Sequence, residues 1–169
     1  KSFYNINFVF DEIPNKHKKF DYEAFSSFKG EVYAVVTNLK TGKAEYLPVT
    51  ANDKSWKVIV ASCALPIMFQ PVEINGNLYM DGGIVESIPV AKAIEDGCDK
   101  IITIITRERE YVKSKETEIG LASFKYRKFP GFADAIKRRP EAYNESHQRL
   151  MELEKKGSAY VIAPNNTEN

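Results

Sequence analysis

The chain has 169 residues, 43% hydrophobic and 28% charged, with a net charge of +1. This balance suits a soluble globular domain large enough to build its own core, and it offers no electrostatic ground for a nucleic-acid partner. No apolar run approaches the roughly 18–20 residues that span a bilayer, the N-terminus carries no apolar signal-peptide core, and Cys63 and Cys98 match no metal-ligand spacing. A reduced, cytoplasmic protein is therefore expected. The chain opens on Lys1 and closes on the polar run Asn165 to Asn169, so it reads as an excerpt of a longer protein.

The residues from Ile6 to Phe10 are largely apolar, and Asp11 to Pro14 reads as a turn or helix start. A short helix is predicted over 21–26, with Asp21 as its N-cap. Residues 31–38 are rich in β-formers and predict a strand. A tight turn at Thr41 and Gly42 pairs it with a more polar edge strand over 43–48. Asn52 or Asp53 can cap a helix whose stripe is Trp56, Ile59, Val60 and Cys63, and Pro66 ends it. A second hairpin joins Val72–Ile74 to Asn77–Met80 through Asn75 and Gly76, residues suited to a type I′ turn. Asp81 falls just past its second strand.

A helix then starts near Ser87, with Pro89 in its first turn and Gly97 at its stop. Residues 100–106 are nearly all apolar, which predicts a strand buried on both faces and reached by a right-handed crossover. A charged loop over 107–118 follows. Two further helices are expected, over 131–139 and 140–156, the second entered at Pro140. Gly157 stops it, and a last strand covers 160–163. This element order favours a single layered α/β domain. Asn144-Glu145-Ser146 and Asn165-Asn166-Thr167 fit the glycosylation pattern, which is short enough to arise by chance.

Chemistry concentrates at Asp81, Gly82 and Gly83. Taken alone, Asp-Gly is a turn dipeptide. Here a hairpin strand delivers the carboxylate to its tip, and two glycines leave the approach clear. An aspartate placed so is able to serve as general base to a hydroxyl. Other candidates are weaker. Ser62 sits among small residues in a helix with no sharp turn to expose it. Cys63 lies on the apolar stripe, where thiols are usually inert. His17 lies in a run of lysines and His147 in a polar helix, and a Ser-His-Asp triad would need one of them beside Asp81. No cluster has metal-ligand spacing, and no cofactor is implied.

The run Ala61-Ser62-Cys63-Ala64-Leu65-Pro66, then Phe69-Gln70-Pro71, then Tyr79-Met80-Asp81-Gly82-Gly83 and Pro89 resembles the patatin-like phospholipase family. The likeness is detailed from about Val32 to Asp99. It implies a three-layer α/β/α domain with a mainly parallel central sheet, incomplete in this chain. Residues 1–169 would be the C-terminal portion of a single acyl hydrolase domain. In that family a Ser in a Gly-x-Ser-x-Gly elbow attacks an acyl ester, and the Asp of Asp-Gly-Gly completes a Ser–Asp dyad without histidine. A separate Gly-rich segment supplies N–H groups to the oxyanion.

The resemblance assigns the dyad aspartate to Asp81, with Gly82 and Gly83 as its support. Neither Gly-x-Ser-x-Gly nor the Gly-rich segment occurs in these residues, and Glu86-Ser87 stand where the family often has Asn. The implied partners are a lipid or acyl ester and an N-terminal part of the same protein. The alternative is a patatin-like scaffold used for binding or assembly. From Phe124 to Arg139, six cations face one acid, Asp134, with aromatics interleaved. This stretch reads as a solvated surface or as peripheral contact with an anionic membrane. An incomplete sheet should also leave an apolar face open.

Overall fold

The computed structural model describes residues 5, 6, 8–114 and 119–165. Asn7 in the first apolar run, 115–118 of the charged loop, and Asn166 and Thr167 of the second glycosylation pattern lie outside them. After a helical segment, Phe8–His17, comes α1, Tyr22–Ser27, with Asp21 Oδ1 accepting from the Ala24 N–H at 2.8 Å as expected of its N-cap. Strands β1 (Tyr33–Asn38) and β2 (Ala44–Pro48) form the first hairpin. Helix α2 (Lys57–Ser62) follows, and Asp53 Oδ2 accepts from the Val58 N–H at 3.2 Å.

Strands β3 (Val72–Ile74) and β4 (Asn77–Asp81) form the second hairpin. Asn75 and Gly76 have φ of 50° and 78°, the pair of positive values that a type I′ turn requires. One turn of 3₁₀ helix, Gly82–Ile84, leads to α3 (Val90–Glu95), β5 (Ile101–Ile104), α4 (Ile119–Lys125), α5 (Pro130–Lys155) and β6 (Ala159–Ile162).

The fold is α/β, but the larger sheet is not parallel. Its order is β2-β1-β4-β3, and every ladder is antiparallel. Two of the three ladders are closed by tight turns, which permit only antiparallel pairing. A parallel pair needs a crossover of a dozen or more residues. β5 and β6 are joined by such a connection, through α4 and α5, and they pair in parallel as a separate two-stranded sheet. Because β4 and β5 lie in different sheets, α3 is not the crossover the element order suggested.

Two other expectations are corrected. One helix of 26 residues runs from Pro130 through Pro140 to Lys155, where two were predicted. Proline removes one backbone bond. Burial of Phe132, Ile136, Pro140, His147 and Leu150 along one stripe holds the helix continuous across that gap. Strand β5 is buried on one face only. Ile102 and Ile104 are 73% and 74% exposed beside Tyr160 at 66%, so an open apolar face lies on β5 and β6.

The core has three parts. Val36, Ala61 and Tyr79 fill the space between the larger sheet and α2. Leu39, Met80 and Ile84 meet Ala122, Tyr126, Phe132 and Ile136 of the α4–α5 region. Ile88, Val90, Ile105, Leu150 and Val161 seal the smaller sheet against α3 and α5. Helix α5 thus reaches both sheets, and the residues following β4 lie where its two contacts meet.

Candidate active site

Asp81 is the last residue of β4, opposite Val36 of β1. Its backbone is held from two sides. The Asp81 N–H donates to the Ala64 carbonyl just past α2 at 3.0 Å. The fully buried Thr37 hydroxyl donates to the Asp81 carbonyl at 2.8 Å. The Ala61–Pro66 run and the Asp-Gly-Gly run, 17 residues apart from Ala64 to Asp81, are therefore neighbours joined by a backbone bond. On the side chain, Asp81 Oδ1 accepts from the Gly83 N–H at 2.7 Å and caps the 3₁₀ turn.

The two glycines have different reasons to be glycine. A Cβ on Gly82 would lie 2.2 Å from the Val35 carbonyl oxygen, so the turn can pack on β1 only without a side chain. A Cβ on Gly83 would lie 3.1 Å from Asp81 Oδ1 and 3.4 Å from Ser87 Oγ, so it would crowd the carboxylate. The Gly83 carbonyl accepts from Ser87 Oγ at 2.9 Å and from Arg139 Nε of α5 at 3.2 Å. Glu86 accepts a hydrogen bond from the Tyr46 hydroxyl of β2, whose pKa burial and the Glu86 carboxylate both push up. Positions 86 and 87, where the family often has Asn, thus tie the turn to β2 and to itself.

Burial pushes the Asp81 carboxyl above the usual carboxylate range, while the Gly83 N–H and the Arg139 guanidinium pull it back. A fixed carboxylate with a raised proton affinity is well matched to accepting a proton from a hydroxyl near neutral pH. The other candidates are placed elsewhere or engaged. Ser62 Oγ donates to the Val35 carbonyl at 2.8 Å, which is a packing role. Cys63 is exposed rather than on the buried stripe, because α2 ends at Ser62 and turns its buried side through Ala61. Although the residue is exposed, partial desolvation of its sulfur and the nearby Asp81 carboxylate raise the thiol's pKa, leaving a weak nucleophile.

His147 is buried, not on a polar face. Its ring stacks on Tyr143 with centroids 6.0 Å apart, and desolvation lowers its pKa against the pull of Glu110. It lies about 12 Å further along α5 than Arg139 at 1.5 Å per residue. His17 packs on Phe8. Neither histidine hydrogen-bonds to Asp81. Among the described residues no group of three or more His, Cys, Asp or Glu converges to hold a metal.

Compared with known families, residues 7–94 match the model for patatin-like phospholipase, just over half of the chain. The chain belongs to the patatin-like phospholipase family. That match holds α2, the second hairpin, the Asp81 corner and most of α3. Residues 129–168, which contain α5 and β6, match a domain of unknown function (DUF6363). Arg139 therefore reaches the patatin-like corner from a segment with a family model of its own.

Relatives of the patatin-like part include lysophospholipase NTE1 of Kluyveromyces lactis, 29% identical over 72 residues, which is 43% of this chain and 5% of that protein. The Saccharomyces cerevisiae lysophospholipase NTE1 is 36% identical over 50 residues, 30% of this chain and 3% of the relative. That of Coccidioides immitis is 28% identical over 87 residues, 52% and 5% respectively. The matches span only 3–5% of these relatives' own length.

The Asp-Gly-Gly run is visible in the sequence as a turn and a carboxylate. The Gly83 carbonyl contact with Arg139 is not, since 56 residues separate the partners and Arg139 stands out in sequence only as one member of a basic run.

Proposed function

We propose that this chain supplies the aspartate of a Ser–Asp acyl hydrolase that cleaves lipid or carboxylic esters. The serine and the oxyanion donors come from outside these 169 residues. The observation that carries the proposal is the Asp81 carboxylate, held at a corner braced by Ala64, Thr37 and Gly83. The family match and the lysophospholipase relatives support it.

In the reaction so read, the serine Oγ bonds to the ester carbonyl carbon as its proton passes to Asp81. The tetrahedral oxyanion collapses, and the alkoxide leaves with the proton. Water then attacks the acyl-enzyme with Asp81 taking its proton, and the carboxylic acid and free serine are released. The exposed free thiols Cys63 and Cys98 suit a cytoplasmic setting.

The full-length protein should label covalently with a fluorophosphonate probe, and the 169-residue chain alone should neither label nor hydrolyse an ester. A full-length protein that resists the probe would instead point to the scaffold reading.

The reading extends to a membrane surface. Among the described residues no helix is long and apolar enough to cross a bilayer. Helix α4 turns Leu121 and Phe124 outward, 64% and 65% exposed. Arg127 lies over the Phe124 ring at 4.6 Å, and Lys125 and Lys128 are exposed beside it. Apolar side chains ringed by cations are the chemistry of a peripheral contact with anionic lipid. At about 1 kcal/mol per cation near such a surface, alanine at Lys125, Arg127 and Lys128 together should weaken binding to anionic liposomes roughly 100-fold. Liposome co-sedimentation tests this, and unchanged binding removes the membrane contact.

A further inference from the structure

Beyond the Asp81 corner, β5 ends at a cavity of about 340 Å³ whose walls, among the described residues, carry Arg107, Lys113 and Arg139, hydroxyls that include Ser87, Thr106 and Tyr143, and no carboxylate. Its position, past the carboxyl end of a strand in a parallel pair, is where open α/β sheets place ligands.

Its cations are held in place by the fold. The Asn144 side chain clasps the backbone of Lys113 from both sides, accepting from its N–H at 2.8 Å and donating to its carbonyl at 3.0 Å. Lys113 Nζ lies over the Tyr143 ring at 5.8 Å, and the Arg107 guanidinium lies over the Tyr111 ring at 5.1 Å. Tyr111 in turn meets Tyr143 edge to face at 5.7 Å. Arg139 is oriented by its bond to the Gly83 carbonyl. Arg107, Lys113 and Arg139 bring cationic N–H donors to one space beside several hydroxyls, and an anion with several oxygens can accept from both kinds of group.

We propose that this cavity binds a phosphate group. Resting on the acyl-hydrolase reading, its source is the phosphate of the ester substrate. Ser87 and Arg139 line the cavity and bond the Gly83 carbonyl, and the Gly83 N–H bonds the Asp81 carboxylate. A phosphate seated there sets the rest of its ester beside the corner. The free ion is the other source of the same chemistry, and the test separates the two.

Inorganic phosphate titrated into the protein should shift the amide resonances of Thr106 and Lys113 saturably. Arg107→Gln combined with Lys113→Gln should weaken that binding at least tenfold, and Lys155→Gln with Lys156→Gln, which remove as much charge elsewhere, should leave it unchanged. A soluble short-chain acylglycerol phosphate that binds at least tenfold more tightly than inorganic phosphate, and also shifts Gly83, identifies the ester as the source. Equal binding of the two identifies free phosphate and overturns that part. No saturable shift, or equal weakening by the control pair, overturns the site itself. Asp81→Asn should keep phosphate binding intact, so loss of the catalytic reading would not be mistaken for loss of this one.

Discussion

Asp81→Asn in the full-length protein should lower ester turnover by roughly 10²–10⁴-fold while the protein remains folded. Asparagine keeps the shape of the side chain and an oxygen to accept from the Gly83 N–H, now at 2.7 Å from Asp81 Oδ1. It cannot take up a proton at neutral pH. Folding should in fact gain. Burial holds the Asp81 carboxyl above its ordinary range, so the native state binds this proton more tightly than the unfolded chain does. The stability tied to the proton is present below the ordinary carboxylate value and is lost as pH rises through the raised native one. The Asn variant should therefore melt above the parent at pH 7, and the gap should close as the pH falls below about 4. Steady-state kinetics and thermal melts at the two pH values check both halves. Normal turnover in the variant would sink the role proposed for Asp81, and a variant that melts below the parent at pH 7 would sink the account of its burial.

Gly82→Ala should cost about 3 kcal/mol or more, because the new methyl would meet the Val35 carbonyl oxygen at 2.2 Å and its carbon at 2.5 Å. Those are backbone atoms of β1, locked by the ladders to β2 and β4, so no side chain can swing aside. For a chain of this size the loss corresponds to a fall in Tm of about 6–12 °C. Gly83→Ala is the contrast. Its nearest neighbours are the ends of the Asp81 and Ser87 side chains at 3.1 and 3.4 Å, and these can shift by tenths of an ångström. Its stability should change by less than about 1 kcal/mol, whereas turnover should fall about tenfold as the carboxylate is displaced. Circular-dichroism melts and turnover of the two variants, measured side by side, separate the structural glycine from the one beside the carboxylate. Equal melting of Gly82→Ala and the parent would contradict the packing described.

Much of this was legible locally. Asp21 capping α1, the Asn75-Gly76 turn and the stops at Gly97 and Gly157 follow from preferences acting within a few residues, and each stands where those preferences put it. The misreadings share a cause. Pro140 discourages a helix locally, yet the buried stripe from Phe132 to Leu150 carries α5 through it. The apolar run at β5 does not say which of its faces a partner covers, and Ile102 and Ile104 face outward. Cys63 falls on the helical stripe by spacing, but α2 stops at Ser62 and leaves it as the C-cap.

The same division holds at the corner. By itself the sequence determined that a carboxylate and two glycines follow a hairpin strand, and that Ala61 to Pro66 accompany them in the patatin-like pattern, because turn chemistry and motif spacing are short-range properties. Long-range packing, by contrast, sets Ala64 and Thr37 to brace Asp81, makes Val35 forbid a side chain at 82, and brings Arg139 of α5 to Gly83. Those contacts join residues 17 to 56 positions apart. Chain closure over such distances is set by how the sheets and α5 pack together, which no local preference encodes.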